Sequence, residues 1–414
     1  MRILAAILGT LLLPAASFAG EEGCGVCHGA ERVRHEQSVH RSGGLTCVSC
    51  HGGNPVPVEN KEAAHAKEKG FLGRPSRAQA ALFCGTCHSD VGRMRSFGLR
   101  TDVLEAYKSS HHGKAVLGKD DPDAATCLDC HGSHDVVRVM DPRSPAYRSR
   151  VPATCGKCHG DEAMMKRHGV ASTPPKDFAG SIHGRRLAEG EPGVPNCASC
   201  HDAHAAAPPG AGEVASVCGA CHKDALEMFR KSPHFAVSLR GEMKQCVTCH
   251  GNHAVGLPDY DLFDKPPARD ADANRGTGCI ACHDLADPSD RGGVVAAALG
   301  KGFRETDAKI REATARVDDI AGRGFFVADE RESIAQARRE LVQAVPLAHS
   351  ADLLAVQVAL RRSHSFVDEA LVRVDGKNRD ERDRRILGSF GAFVLFVIAG
   401  FLALRRRRAA AGTA

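Results

Sequence analysis

The stretch CLDCHGSH, Cys127 to His134, decides how this chain is read. Two thiols stand three positions apart, a histidine follows the second directly, and another histidine comes three residues later. C-x-x-C-H is the attachment signature of a c-type haem: the two sulfurs add across the porphyrin vinyl groups, and the adjacent imidazole binds the iron. The same core recurs eight more times, as Cys24/Cys27, Cys47/Cys50, Cys84/Cys87, Cys155/Cys158, Cys197/Cys200, Cys218/Cys221, Cys246/Cys249 and Cys279/Cys282, beside Cys127/Cys130. The histidines that follow are His28, His51, His88, His131, His159, His201, His222, His250 and His283. Nine motifs consume all 18 cysteines, so none is left for a disulfide.

A string of zinc knuckles is the competing reading, because Cys-x-x-Cys pairs also hold zinc. Zinc does not require a histidine directly after the second cysteine, yet all nine motifs have one. With histidine at about one position in twenty, chance agreement at nine sites is on the order of one in a trillion. The expectation is nine covalently attached haem c groups, each with a proximal imidazole.

The region from Cys24 to His283 holds one motif per roughly thirty residues and has no tryptophan. Such a chain builds little core from side chains, so the porphyrins are expected to supply the apolar interior. The formal charge of +5 invites a nucleic-acid partner. No run of interleaved basic and aromatic residues supports one, and the basic excess reads as compensation for haem propionates.

The ends address the chain. Arg2, an apolar run from Ile3 to Leu13 and Ser17-Phe18-Ala19 read as a secretory signal over residues 1–19. Ile386 to Leu404 carries no charge and is long enough to span a bilayer, with Arg405 to Arg408 directly after it. The expected layout is a nine-haem domain at 20–290, a helical domain at 291–385, a transmembrane helix at 386–404 and a cytoplasmic tail at 405–414. The body would lie in the periplasm, anchored in the inner membrane by its C-terminal helix.

The motifs sort into two kinds. CGxCH at Cys24, Cys84, Cys155 and Cys218 alternates with CVSCH, CLDCH, CASCH and CVTCH at Cys47, Cys127, Cys197 and Cys246, so the repeat is a motif pair. CIACH at Cys279 opens a fifth repeat that lacks its second half. Between the paired motifs lies Ser-x-His, ending at His40, His112, His183 and His234. Three residues past the second proximal histidine comes another, His134, His204 or His253; repeat 1 has Asn54 there, and His65 is the candidate for the same role.

A six-coordinate haem iron takes an imidazole on each face. Each complete repeat has two spare histidines for two haems: His40 and His65, His112 and His134, His183 and His204, His234 and His253. Histidines three residues past a proximal ligand sit where they reach a neighbouring iron, which predicts a stacked chain of haems. His35, His111 and His168 break the pattern. Beyond residue 291, apolar spacing predicts three helices, with Ile310, Val317 and Ile320, then Ile334, Ala337 and Leu341, then Leu353, Leu360, His364, Val367 and Leu371 on their inner faces. The ninth haem then lacks a distal ligand, and His349 and His364 are the candidates. The expected fold class is mainly α with extensive irregular loops, organised around stacked haems and followed by a helical segment and a single C-terminal transmembrane helix.

CGxCH, Ser181-Ile182-His183-Gly184 and His131-Gly132-Ser133-His134 together resemble the bacterial multihaem c-type cytochromes with doubled C-x-x-C-H motifs. The resemblance covers residues 24–283. It implies electron transfer between a quinone-linked membrane donor, or a cytochrome donor, and periplasmic or extracellular acceptors, with no catalytic residue. The chain departs from the related quinol dehydrogenases, whose anchor is N-terminal, and from ammonia-forming nitrite reductases, whose C-x-x-C-Lys site is absent here. The alternative is an oxidoreductase in which the haem of His283 keeps an open face for nitrite, hydroxylamine or a sulfur oxyanion.

Overall fold

A computed structural model describes residues 22–55, 60–210, 213–257, 259–265 and 277–411. The expected signal segment at 1–19 lies outside the described residues. Among the described residues the chain is helix and loop without strands. It divides into two compact halves, 1–209 and 210–414. The division falls inside the expected nine-haem region: three of the nine motifs, at Cys218, Cys246 and Cys279, belong to the half that holds the long helices.

The N-terminal half is a series of short helices, the longest described being Arg77–His88. Its buried apolar residues are few: Ala66, Ala80, Ala81, Met94, Tyr107, Val116, Met165 and Leu187 among those described. Three are alanines, so the stabilisation available from apolar burial is small. Local hydrogen bonds set the helix boundaries instead. Helices Cys47–His51, Cys127–His131 and Cys197–His201 each comprise one C-x-x-C-H motif, opened by a capping box from Thr46, Thr126 or Asn196 to the third helical residue. Each ends on a residue of positive φ directly after the proximal histidine. That residue is glycine at 52 and 132 but Asp202 in the third, where the carboxylate accepts from His204 N (2.8 Å) and Ala205 N (3.2 Å) and so holds the strained turn.

The C-terminal half is built on three long helices, Arg291–Gly322, Ala328–Ala348 and Leu353–Ala411. Their buried positions alternate by three and four: Ala296, Leu299, Phe303, Thr306, Ile310, Ala313, Val317 and Ile320 on the first, and Val356, Leu360, Ser363, Val367, Ala370 and Val374 on the third. Such spacing produces knobs-into-holes packing along a bundle. Lys309 pairs with Asp368 (2.7 Å) and Arg323 with Glu381 (2.7 Å), so the first and third helices run in the same direction. Ser363 Oγ donates to Ala337 O (2.8 Å) while Arg373 donates to Ser333 Oγ (3.0 Å), so the second runs against them.

The third helix outlasts the bundle. From Ile386 to Leu404 its side chains are exposed, and this stretch is long and apolar enough to cross a membrane. The N-cap of the first helix, Asp290, and the residues before the third, Ser350 to Asp352, lie at the opposite end of the bundle. At 1.5 Å per residue, about 50 Å of helix separates Leu353 from Ile386.

Candidate functional site: paired imidazoles

Each distal candidate in a Ser-x-His segment sits in the first turn of a helix capped by its serine. Ser110 Oγ accepts from Gly113 N (2.9 Å) and donates to Tyr107 O (2.6 Å); Ser181 repeats this with Gly184 N (2.9 Å) and Phe178 O (2.6 Å). Ser232 donates to Phe229 O (2.7 Å) and accepts from Phe235 N at a looser 3.3 Å. These serines are buried. The glycine of the motif has a steric cause: a Cβ on Gly113 would lie 1.9 Å from Tyr107 O, and one on Gly184 would lie 1.9 Å from Phe178 O.

The histidines meet in pairs. His28 faces His65 with ring centres 6.1 Å apart, His40 faces His88 (6.1 Å), His51 faces His134 (6.1 Å) and His112 faces His159 (6.0 Å). His131 faces His204 (6.2 Å), His234 faces His283 (6.0 Å) and His250 faces His349 (5.9 Å). The distance spans 5.9 to 6.2 Å while the interplanar angle spans 8° to 84°. Direct ring contacts link separation to orientation, because stacked and edge-on packings approach differently. A fixed distance with free rotation is the signature of two rings pointing end-on at one shared centre. A metal bonded to one nitrogen of each ring at about 2 Å sets ring centres roughly 6 Å apart.

Five of the candidate rings also have a settled tautomer. Nδ1 lies 3.0 Å from Gly73 O at His51, 2.8 Å from Lys61 O at His65, 3.2 Å from Ala207 O at His201, 3.0 Å from Asp290 Oδ1 at His283 and 3.1 Å from Pro346 O at His349. These oxygens only accept, so Nδ1 carries the proton and Nε2 presents its lone pair, the arrangement a metal ligand requires. Burial also lowers the pKa of His40, His88, His112, His131, His134, His159, His204, His234 and His349, and burial with the facing His349 takes His250 down to about 4. Neutral rings are the ligating form. His204 Nδ1 is buried without a hydrogen-bond partner.

The partners come from neighbouring repeats. Ser-x-His faces the first proximal histidine of the following repeat in His40–His88, His112–His159 and His234–His283. The histidine three residues past a second motif faces back to the preceding repeat in His134–His51 and His204–His131. A backbone bond marks each exchange: Val39 N donates to Val136 O (2.8 Å), and His111 N to Ala206 O (3.2 Å). The equivalent position in repeat 4 is Pro233, which has no N–H to give, and repeat 5 has no such segment to accept one.

The expectation for the ninth motif changes accordingly. His283 is faced by His234, and His349 faces His250 rather than His283. His364 faces neither; its Nε2 shares a 2.8 Å hydrogen bond with Thr306 Oγ1 between the first and third bundle helices. His183 lies in the first turn of Ile182–Ala188, His222 precedes Lys223–Lys231, and His253 follows Asn252, whose side chain its N–H binds at 2.7 Å. Of the unassigned histidines, His35 Nε2 bonds Leu45 O (3.0 Å) and His168 bonds Asp123 (3.2 Å).

The thiols are ordered too. The first cysteines of a motif pair lie beside each other, Cys84 by Cys127, Cys155 by Cys197 and Cys218 by Cys246, and the neighbouring thiol raises the pKa of Cys84, Cys155 and Cys218. The second cysteine of the pair turns towards the next repeat. Burial raises the pKa of Cys50, Cys130 and Cys249, and each is raised further by a thiol beyond it: Cys87, Cys155 and Cys279 respectively. Within each half the motifs therefore follow one another in space as in sequence, from Cys47 to Cys197 and from Cys218 to Cys279. At the last, an open cavity of about 550 Å³ is lined by Asp264 and residues 280–286.

The first and second cysteines of the motifs differ in how far they are covered. Cys27, Cys50, Cys200, Cys221 and Cys282 are exposed. No first cysteine of a motif is exposed; all nine are partly covered.

No family model, no curated protein and no solved structure matches this chain. The donor set itself fits haem c: paired thiols, an imidazole beside each pair, and in seven cases a second imidazole facing a proximal one at the span of one metal ion.

Proposed function

We propose that the chain is a membrane-anchored periplasmic nonahaem c-type cytochrome that passes electrons between a donor linked to the membrane and periplasmic or extracellular acceptors. The observation that carries this reading is the constant spacing of seven histidine pairs drawn from distant parts of the sequence. Haem c would be held by the thioether-forming cysteines and by the facing imidazoles, and when bound it supplies one-electron storage and exchange. The chain's own residues fix each imidazole by capping its helix, assign its tautomer and keep it neutral. Axially saturated sites suit electron transfer, and at seven of the nine motifs a second imidazole faces the proximal one. The alternative enzyme needs that face at His283, where His234 stands 6.0 Å away.

The bundle bears on the partners. Residues 291–385 contain no cysteine and so no c-type attachment motif, and about 50 Å of helix lies between Leu353 and the apolar stretch. Tunnelling falls off exponentially with distance, so the sites beside His349 and His283 exchange electrons with a protein partner rather than with quinone dissolved in the lipid. The resemblance to doubled-motif multihaem cytochromes supports the same reading.

The test is a haem count by pyridine haemochrome on purified full-length protein, with low-temperature electron paramagnetic resonance. Nine covalent haems, all low-spin, are expected. Far fewer haems, or bound zinc in their place, would refute the proposal.

A further inference from the structure

The acceptor behind the proximal ring is not the same at every motif. His51 and His201 give their Nδ1 protons to peptide carbonyls, Gly73 O at 3.0 Å and Ala207 O at 3.2 Å. His283 gives its proton to a carboxylate, with Asp290 Oδ1 at 3.0 Å and Oδ2 at 3.3 Å. A carbonyl dipole polarises the N–H bond; a full negative charge draws the proton further and makes the ring a stronger donor through Nε2.

Asp290 is held for this contact. Its carboxylate accepts from Asp284 N (2.8 Å) and Gly293 N (3.0 Å), and it is the N-cap of the 32-residue first bundle helix. The helix start presses on the ring: a Cβ on Gly292 would lie 2.1 Å from His283 Cε1, so only glycine fits there. Carboxylate, ring and helix terminus form one rigid group, and the bundle sets the ring's position.

We propose that Asp290 is a positioning residue that gives the His283 imidazole anionic character and thereby lowers the midpoint potential of the iron held at the ninth motif. The inference rests on the haem reading above. A more basic axial ligand stabilises the oxidised, more positive metal, and hydrogen bonding to the ligand is one of the ways a protein sets such a potential. The ninth motif ends the spatial series from Cys218 through Cys246, and Cys282 is exposed. A low potential at that end makes it the port for a strongly reducing one-electron protein donor, from which electrons run downhill towards Cys246.

The experiment is an equilibrium redox titration of the full-length holoprotein and of Asp290→Asn, with the haem count measured on both. Asparagine with its oxygen turned to His283 and Gly293 keeps the Nδ1 hydrogen bond and the helix cap, so the substitution removes the charge and the one bond from Asp284 N. One of the nine transitions is expected to move to higher potential, raising the reduced-to-oxidised ratio of that haem at least tenfold at fixed potential, which is 59 mV for one electron. Asp287→Asn, a carboxylate of the same loop bonded to Ser289, is expected to move none. Nine haems with no transition shifted would overturn the proposal, and so would loss of a haem from Asp290→Asn, which would make the residue structural. A wild-type count far below nine would instead overturn the conduit reading itself.

Discussion

Gly113→Ala tests the link from a buried serine cap to a distant metal ligand. The added Cβ would lie 1.9 Å from Tyr107 O and 3.0 Å from the Lys108 Cα. Carbon and carbonyl oxygen in contact need more than about 3 Å, so helix His111–Lys119 must move by roughly 1 Å or the turn at Ser110 must open, at a cost of about 1–3 kcal/mol. His112 sits one residue before the added methyl and faces His159 across 6.0 Å. Metal–imidazole bonds tolerate displacements of about 0.2 Å, so a shift of this size takes His112 out of bonding range. The cysteines are untouched, and the haem count should stay at nine. The assay is electron paramagnetic resonance with carbon monoxide binding: a high-spin, ligand-accessible fraction of about one ninth is expected, against none in the parent. Gly118→Ala, on the same helix with nothing within 4 Å of its added Cβ, should keep all irons low-spin and gain up to about 1 kcal/mol of helix stability. If the two alanine variants behave alike, the reasoning from cap to ligand is wrong.

Three further outcomes follow from the same geometry. His349→Ala should expose one iron, at His250, to cyanide or carbon monoxide, whereas His364→Ala should cost stability through its Thr306 bond and leave all irons saturated; optical titration separates them. Lys377→Met should destabilise the bundle by about 3–5 kcal/mol, read from thermal melts, because Glu330 is 2% exposed and would keep a buried charge without its partner. Burial pushes the Glu330 carboxyl up, but the Lys377 hydrogen bond, the helix backbone and the charges of Lys377 and Arg373 together outweigh it, and the net shift is below the usual 4.5. That stabilisation is therefore present above pH 4.5 and is lost as pH falls through the lowered folded value; a parent melting temperature independent of pH across this window would contradict it. Protein made without haem attachment should keep the helical circular dichroism and protease resistance of residues 291–385 while residues 22–209 are digested, since the few buried apolar side chains there cannot hold the fold.

Much of this arrangement can be read from the residues, for reasons that are local. Capping serines, the glycine after His112 and His183, and the turn after each second motif are short-range devices, and their spacing is visible in one dimension. The bundle is legible for the same reason: Ile310, Val317, Ile320, Ile334, Ala337, Leu341, Leu360 and Val367 recur at helical intervals and all are buried. Partner choice is not legible. His349 faces a ring 99 positions earlier, and nothing in the apolar stripe that includes His364 distinguishes a ring bonded to Thr306 from one free to meet a metal. Nor does C-x-x-C-H tell a covered thiol from one at the rim: Cys27, Cys200 and Cys221 share their pattern with the partly covered Cys87, Cys158 and Cys249, and only the packing around each helix separates them. The division of the chain is hidden too: Lys223–Lys231 packs on Ala328–Ala348, and the last three motifs belong to the same compact half as the bundle. Asp290 carries a signal that sequence reasoning could have used, since an aspartate seven residues past a proximal histidine and ahead of Arg-Gly-Gly is a helix cap placed beside a ring.

The exchange of histidines between repeats accounts for the places where the repeats are irregular. In a linear array every unit is completed by its neighbours, and the end units must be modified because a neighbour is missing. The histidine three residues past a second motif faces the repeat before it in His134 and His204, and repeat 1 carries Asn54 at that position. His28 is faced by His65 from its own repeat, with the His65 Nδ1 tied to Lys61 O. At the other end repeat 5 stops after one motif, so nothing in it can face His250; His349, from the turn between the second and third bundle helices, does so instead. His283 still receives His234 because that ligand travels forwards along the chain. The truncated fifth repeat and His349 are therefore two sides of one connectivity. The turn between the second and third bundle helices completes the site at His250, and shortening it should open that site while leaving the site at His283 closed.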